Sequence, residues 1–464
     1  MVFLIGGANS ASGDYEINNS GLFNGSNQYI NKTYSSEESV LTKWTVSAWV
    51  KRGNLSNGSD HQYFFQAGDY SIIGFRDDDT LMVQVWNSDG GGKAVLTNAK
   101  YRDVGAWYHI VSKYDSTQGT ASNRLKLYVN GEEVTSFGTD QRSSISQNDD
   151  DLVGDDVAHT IGYGSNNTSY FDGYMADVHV ICGNCYDASS FGETNDNGVW
   201  VPKKFTGNYG SNGSFHEFGA ESTGVGAGRF ASDTSGNGNH YDTNNFSSQY
   251  QMTDSPTNNF ATLNPTNKLG SCLVSKGATE YDSNSSSGSS IVSTIAPSKG
   301  KWYVEVKAVT STIHIGVSEV GLEAFNVKGQ GASRPNINYQ YGDGSNPNVE
   351  IDGTHVDTEA AFTTNDIIGL ALDLDDGELI IYKNGTAINS GTAYNLHTNT
   401  THGNTGFSVQ TATGSGNTRA SFNFGSPTFS ISSGNADANG YGEFEYAVPS
   451  GYYALCTKNL AKYG

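Results

Sequence analysis

The stretch KWTVSAWVK, residues 43–51, sets Trp44, Val46, Ala48 and Val50 against Thr45, Ser47, Trp49 and Lys51 in strict alternation. Side chains alternate across a strand but recur every three or four residues along a helix, so this pattern dictates a strand with one buried face. The same period runs through LMVQVW, WYHIVSKY and RLKLYVNGEEV, where it turns Leu125, Leu127 and Val129 inward. In YMADVHVIC it puts Tyr174, Ala176, Val178, Val180 and Cys182 on one row. No segment before residue 185 keeps a helical period for three turns, and Gly, Asn and Asp turns separate the strands. Strands in series without intervening helices pack as two antiparallel sheets, face to face.

Alternation stops at residue 186 and returns at about 270. GKWYVEVKA aligns Trp302, Val304 and Val306, TIHIGVS aligns Ile313, Ile315 and Val317, and IIGLALDLDDGELIIYKNGTAI aligns Leu370, Leu372 and Leu374. The last of these reads as three strands of a meander, turning at Asp375–Gly377 and at Asn384–Gly385. An Asn-Gly pair between apolar strands, found in LYVNGEEV and again in IYKNGTAI, is the signature of a two-residue hairpin with positive φ at both central positions. The flanks of the two hairpins do not align, so they mark two modules rather than a tandem repeat. One short helix is expected, near Val320–Phe325.

Residues 186–266 have little periodicity and many turn residues, yet aromatics recur at Phe191, Trp200, Phe205, Tyr209, Phe215, Phe218, Tyr241, Phe246 and Phe260. Disordered linkers are poor in aromatics, so the segment reads as an ordered, irregular connector. The expected organisation is all-β: two antiparallel jelly-roll-like β-sandwiches at 15–185 and 267–464, joined by the aromatic-rich connector at 186–266, with 1–14 as a possible anchor.

A formal charge of −22 repels phosphate backbones and anionic bilayers, which sets nucleic acid aside as a partner. MVFLIGG is too short for a signal peptide and no stretch of about 18 apolar residues follows it, so no membrane insertion is expected. The four cysteines, Cys182, Cys185, Cys272 and Cys456, are too few and too scattered for a disulfide framework, and folding in a reducing compartment follows.

GLFNGSNQYI, WTVSAWVKRG, WYHIVSKYD, LKLYVNGEEV, HTIGYG and FDGYMADVHV occur in the order seen in laminin-G-like domains of the concanavalin A-like class. GKWYVEV, IGVS, DIIGLALDLDDGELIIYKNG and ASFNFG resemble a SPRY domain. The connector, with DTSGNGNHYDTNNFS and DSPTNNFATLNP, and the closing YGEFEYAVPSGYYALCTKNLAKYG resemble structural proteins of tailed, marine-type bacteriophages that join these two modules. The resemblance implies a non-enzymatic protein of the virion surface, made in the host cytoplasm. Such a protein binds host-surface glycan or protein as a tail fibre, tip or knob component, or binds other virion proteins as a capsid decoration. Homo-oligomers are compatible with either role.

For chemistry, the concanavalin A-like class includes glycosidases, and a polysaccharide depolymerase needs two facing carboxylates. Glu305, and Glu443 with Glu445, are the nearest candidates, but neither has a further acid in phase on a clear interior strand, and no catalytic residue is assigned. Calcium is the best metal candidate, since clustered carboxylates and loop carbonyls supply its oxygens; the candidate ligands are Asp151, Asp155 and Asp156 in NDDDLVGDD, with Asp77, Asp78 and Asp79 as a second acidic run. His179, Cys182 and Cys185 have zinc-like spacing, but alternation sends His179 and Cys182 to opposite faces. Trp49, on the polar face of its strand, and Trp86, ahead of the loop NSDGGGK, are the candidates for stacking on a glycan.

Overall fold

The computed structural model describes residues 15–464, apart from 56–59, 87, 89–90, 166–168, 247–248, 285–288, 311–312, 320–335, 341–347, 352–353, 397–406 and 413–416. Residues 1–14 and the helix expected near Val320–Phe325 lie outside the described residues. The chain divides into two compact units, one spanning Ala11–Thr257 and the other Asn258–Gly464. The division thus falls inside the stretch read as a connector.

The first unit is a sandwich of two eight-stranded sheets. One sheet runs in the order Glu132–Glu133, Leu125–Val129, Tyr108–Asp115, Lys43–Arg52, Asp172–Cys182, Ser20–Asn24 and Gln251–Met252, and Ser214–His216 also pairs with Asp172–Cys182. The other runs Phe137–Asp140, Lys93–Lys100, Thr80–Val85, Ser71–Phe75, Gln62–Ala67, Ala158–Ile161, Tyr29–Thr33 and Asp242–Asn244. Trp44, Val46, Ala48 and Val50 from the first sheet meet Phe65, Ile73, Val83 and Val95 from the second in one core, as their alternation requires.

The long strand Asp172–Cys182 departs from its expected phase. Pairing with Lys43–Arg52 shifts register between Ala176 and His179, and Asp177 takes a φ of +43°. This extra residue is a β-bulge, and it moves side chains before it to the opposite face. Val178, Val180 and Cys182 reach the core as expected, but Met175 fills it in place of Tyr174 and Ala176, which pack on the outer side with Trp49.

Residues 186–257 supply edge strands to both sheets of this unit and cover the outer face of the first. Phe191, Phe205, Tyr209 and Trp200 pack there over Val111, Tyr128 and Ile181. Lys43–Arg52 is therefore buried on both faces, including Lys51, whose Nζ lies 2.7 Å from Asp254 Oδ2 with both side chains almost wholly enclosed. Trp107 Nε1 donates to the other Asp254 oxygen at 3.2 Å, and Ser20 Oγ donates to the Asp254 carbonyl at 2.6 Å.

The second unit is also built of two sheets, of seven and nine strands. Trp302, Val304 and Val306 meet Ile313, Ile315 and Val317 in its core, together with Leu370 and Leu372. The meander is present as read: Lys301–Ala308 pairs with Ile367–Asp373, which pairs with Glu378–Lys383. Asn130 and Gly131 have φ of 50° and 84°, and Asn384 and Gly385 have 48° and 76°, so both hairpins carry the expected positive-φ turn. The α-helix Thr457–Tyr463, unforeseen in the sequence, closes the unit. The fold is nearly all-β.

Removing one member of a buried ion pair strands the other charge, which costs about 3–5 kcal/mol. Asp254→Ala is expected to lose that much in urea unfolding, while the apolar double variant K51M/D254L loses clearly less. Equal losses in the two variants would show that packing volume, and not the charge pair, fastens residues 250–257.

Candidate functional site

The outer face of the second sheet carries the site. Register aligns Gln84, Ile72, Gln66, Thr160 and Asn31 across five neighbouring strands. Side chains in such a row share one face, here the face turned away from the core. Tyr63, Ile72, Met82 and Ala94 form a small buried cluster on it. Beside the row opens a pocket of about 550 Å³. Tyr70 and Trp86 form an aromatic wall, Leu152, Val157 and Ala158 an apolar one, and Gln66, Thr160, Ser165 and Asp69 supply the polar lining.

The turn Gly68–Tyr70 between Gln62–Ala67 and Ser71–Phe75 builds the aromatic wall. Gly68 has a φ of +52°, a conformation glycine takes without strain, and a Cβ there would lie 2.7 Å from Leu152 Cδ1, so a side chain would strain the turn and push on the apolar wall. Tyr70 is left 39% exposed, its ring 4.6 Å from that of Trp86 at an angle of 44°. Gln84 Nε2 donates to the Tyr70 carbonyl at 2.9 Å and so fixes the turn.

The polar side is held just as firmly. Gln66, almost fully buried, donates from Nε2 to the Gly68 carbonyl and to Ser165 Oγ and accepts from Ser165 N. Ser165 Oγ donates on to Asp69 Oδ1 at 3.2 Å, which leaves Asp69 at the exposed rim. Thr160 Oγ1 donates to the Tyr163 carbonyl at 2.7 Å. Two touching rings and a set of fixed polar groups line one cavity, which suits a ligand with apolar and hydroxyl surfaces.

Of the two tryptophans singled out in the sequence, Trp86 stands in this pocket and Trp49 does not. Trp49 is 2% exposed, stacked on His109 at 4.7 Å, and His109 is stacked in turn under Trp200. The expected polar face of its strand is covered by residues 186–257, so Trp49 has no face for a glycan. Trp200 Nε1 donates to His109 Nδ1 at 3.0 Å, which leaves His109 Nε2 to donate to Ser47 Oγ at 2.9 Å; the imidazole is neutral.

The calcium candidates are corrected as well. Asp151 is 1% exposed and its oxygens are occupied: Oδ1 accepts from Ser71 Oγ and Trp86 N, and Oδ2 from Trp44 Nε1. Asp156 is exposed, and Asp155 Oδ1 accepts from its backbone N–H. Among the described residues no group of three or more His, Cys, Asp or Glu is arranged to hold a metal ion. In the second acidic run, Asp79 pairs with Arg52 and Arg102, and Asp78 accepts from Thr80. His179 Nδ1 bonds the Tyr209 hydroxyl while the Cys185 thiol donates to the Tyr114 carbonyl, so the zinc spacing is not a site.

In the second unit Glu305 is fully buried and accepts from Tyr303, Asn423, Glu445 N and Tyr446 N. It fastens a loop, and the four partners named here are all donors rather than a second acid. Glu445 is turned away, accepting from Ser432. Tyr70 and Gln66 went unread in the sequence, although QAGDYSII carries the signal: Tyr70 is in phase with Ile72, just after a Gly-Asp turn.

Residues 24–182 match the family Laminin_G_3, the concanavalin A-like lectin/glucanases superfamily. That range contains every residue lining the pocket. No curated protein matches the chain. Similar solved structures include the SPRY domain of human HERC1, at 17% identity over 34% of this chain and 96% of that one, with a TM-score of 0.29. A "putative carbohydrate binding protein" from Bacteroides ovatus ATCC 8483 is similar at 19% identity, over 51% of this chain and 60% of that one, with a TM-score of 0.35. A heptameric SAP-like pentraxin from Limulus polyphemus is similar at 15%, over 36% and 77%, with a TM-score of 0.26.

The first unit is sensitive to acid. Burial pushes His109 down to about 3, and His159 and His216 down to about 4, while an unfolded histidine titrates near 6.5. The folded state then binds fewer protons, so stability is full above about pH 6.5 and falls as the pH drops, by up to about 1.4 kcal/mol per pH unit for each histidine. Asp177, which burial pushes up to about 7, opposes them. H109Q keeps a neutral acceptor for Trp200, and between pH 6 and pH 4 its stability is expected to fall less steeply by about 1.4 kcal/mol per unit. An unchanged slope would contradict a neutral, enclosed His109.

Proposed function

We propose that this chain is a non-enzymatic binding protein whose first unit takes a glycan of a cell surface in the pocket walled by Tyr70 and Trp86. The observation that carries this reading is that aromatic pair, with one ring 39% exposed, set over the fixed Gln66 and Ser165 hydrogen bonds on a concanavalin A-like sandwich. Sandwich loops present such rings on a rigid frame. A net charge of −22 favours neutral glycans over anionic ones. The resemblance of residues 186–266 and of the closing segment to tailed-phage structural proteins supports a place on a virion surface, with the host surface as the ligand's source.

The test is retention of the full chain on neutral polysaccharide isolated from host cells. Losing an aromatic anchor typically costs about 2 kcal/mol, close to thirtyfold in affinity. W86A and Y70A are each expected to weaken binding by roughly that factor, while W200A, outside the pocket, leaves it intact. Undiminished binding by both pocket variants would refute the site. Binding that survives glycan removal but not protease treatment of the cells would turn the ligand into a protein.

A further inference from the structure

The acidic loop that sequence composition marks for calcium meets the pocket from behind. Trp86 follows the strand Thr80–Val85, and its backbone N–H is received by Asp151 Oδ1 at 2.7 Å. Two residues on, Ser88 N donates to Asp149 Oδ2 at 3.2 Å and Ser88 Oγ to Asp149 Oδ1. The segment that carries the Trp86 ring is therefore pinned by two carboxylates of one loop. That loop is itself anchored, because the Asp149 carbonyl accepts from the Tyr114 hydroxyl at 2.9 Å and from Ser116 Oγ at 2.7 Å. Asp151 also receives Ser71 Oγ at 2.6 Å, one residue past Tyr70. A single buried carboxylate thus reaches Trp86 through its backbone N–H and Tyr70 through the hydroxyl of the next residue, Ser71.

We propose that Asp151, seconded by Asp149, is the positioning group of the ligand pocket, holding Trp86 and Tyr70 in the contact that forms its aromatic wall. The proposal rests on the pocket being the binding site. Neither carboxylate lines the cavity; both act through the wall. Every group facing the Asp151 carboxylate named above is a donor, and two of them, Trp86 N–H and Trp44 Nε1–H, cannot accept. A carboxylate satisfies all three at once, whereas a carboxylic acid or an amide must turn a donor toward at least one of them.

Burial raises the Asp151 carboxyl to about 6 against the pull of these hydrogen bonds, so a pH profile reports on the clamp. The other titratable groups around it are Tyr114 on the neighbouring sheet and the loop's own Asp149 and Asp150. His159, which receives Gly154 N and holds the 154–157 turn, is pushed down to about 4 and titrates lower.

The test reads Trp86 alone, without ligand, as the fluorescence and acrylamide quenching of the full chain minus those of W86F. From pH 8 to pH 5 the wild-type difference signal is expected to change in one step with a midpoint near 6. S71A removes a donor that holds Asp151 ionised and is expected to move the midpoint upward; D151N abolishes the step. D149N serves where D151N does not fold, and raises quenching of Trp86 at every pH. A signal flat with pH, or a step unmoved by S71A, would overturn the proposal. Because no ligand enters, a chain that titrates in this way yet binds no glycan refutes the pocket's function and leaves the positioning intact.

Discussion

A lysine ammonium cannot remain charged inside a sandwich without an anion beside it, and Lys51 lies inside one. Its partner Asp254 comes from the far end of the same unit, more than 200 positions later. That pairing obliges the chain after residue 186 to return across the first sheet, and the return covers Trp49, His109 and Trp107. With the outer face of one sheet closed in this way, the pocket lined by Tyr70 and Trp86 lies on the outer face of the other.

Alternation made the two sandwiches legible. The core rows of Lys43–Arg52, Leu125–Val129, Lys301–Ala308 and Ile367–Asp373 fall as the pattern dictates. The two hairpins agree to an unexpected depth. Asn130 Oδ1 accepts from His109 N at 2.8 Å, and Asn384 Oδ1 accepts from Ile367 N at 2.9 Å. A Cβ on Gly131 would strike Trp200 at 2.4 Å, and one on Gly385 would strike Tyr446 at 2.5 Å. In both turns asparagine secures the neighbouring strand and glycine admits a later aromatic, so one solution serves two unrelated contexts.

What the sequence hid has physical causes. A bulge at Asp177 leaves no mark in a pattern of period two, which therefore sends Tyr174 and Ala176 to the wrong side. Polar residues opposite a core row read as solvent-facing unless a distant segment covers them, and that was the fate of Trp49. Adjacent aspartates advertise a cation, yet burial among donors makes Asp151 a hydrogen-bond hub instead. Trp86 was legible as an aromatic ahead of a loop; its partner Tyr70 required the strand register that sets the Gly68–Tyr70 turn beside it.

The central claim is that ligand meets this chain at the outer face of the second sheet of its first unit. Hydrogen exchange, read peptide by peptide on the full chain with and without host-surface polysaccharide, tests it most directly. The account predicts new protection at the Gly68–Tyr70 turn and through residues 152–165, with residues 186–257 unchanged. Protection confined to residues 258–464, or to the covered face of the first sheet, would contradict it.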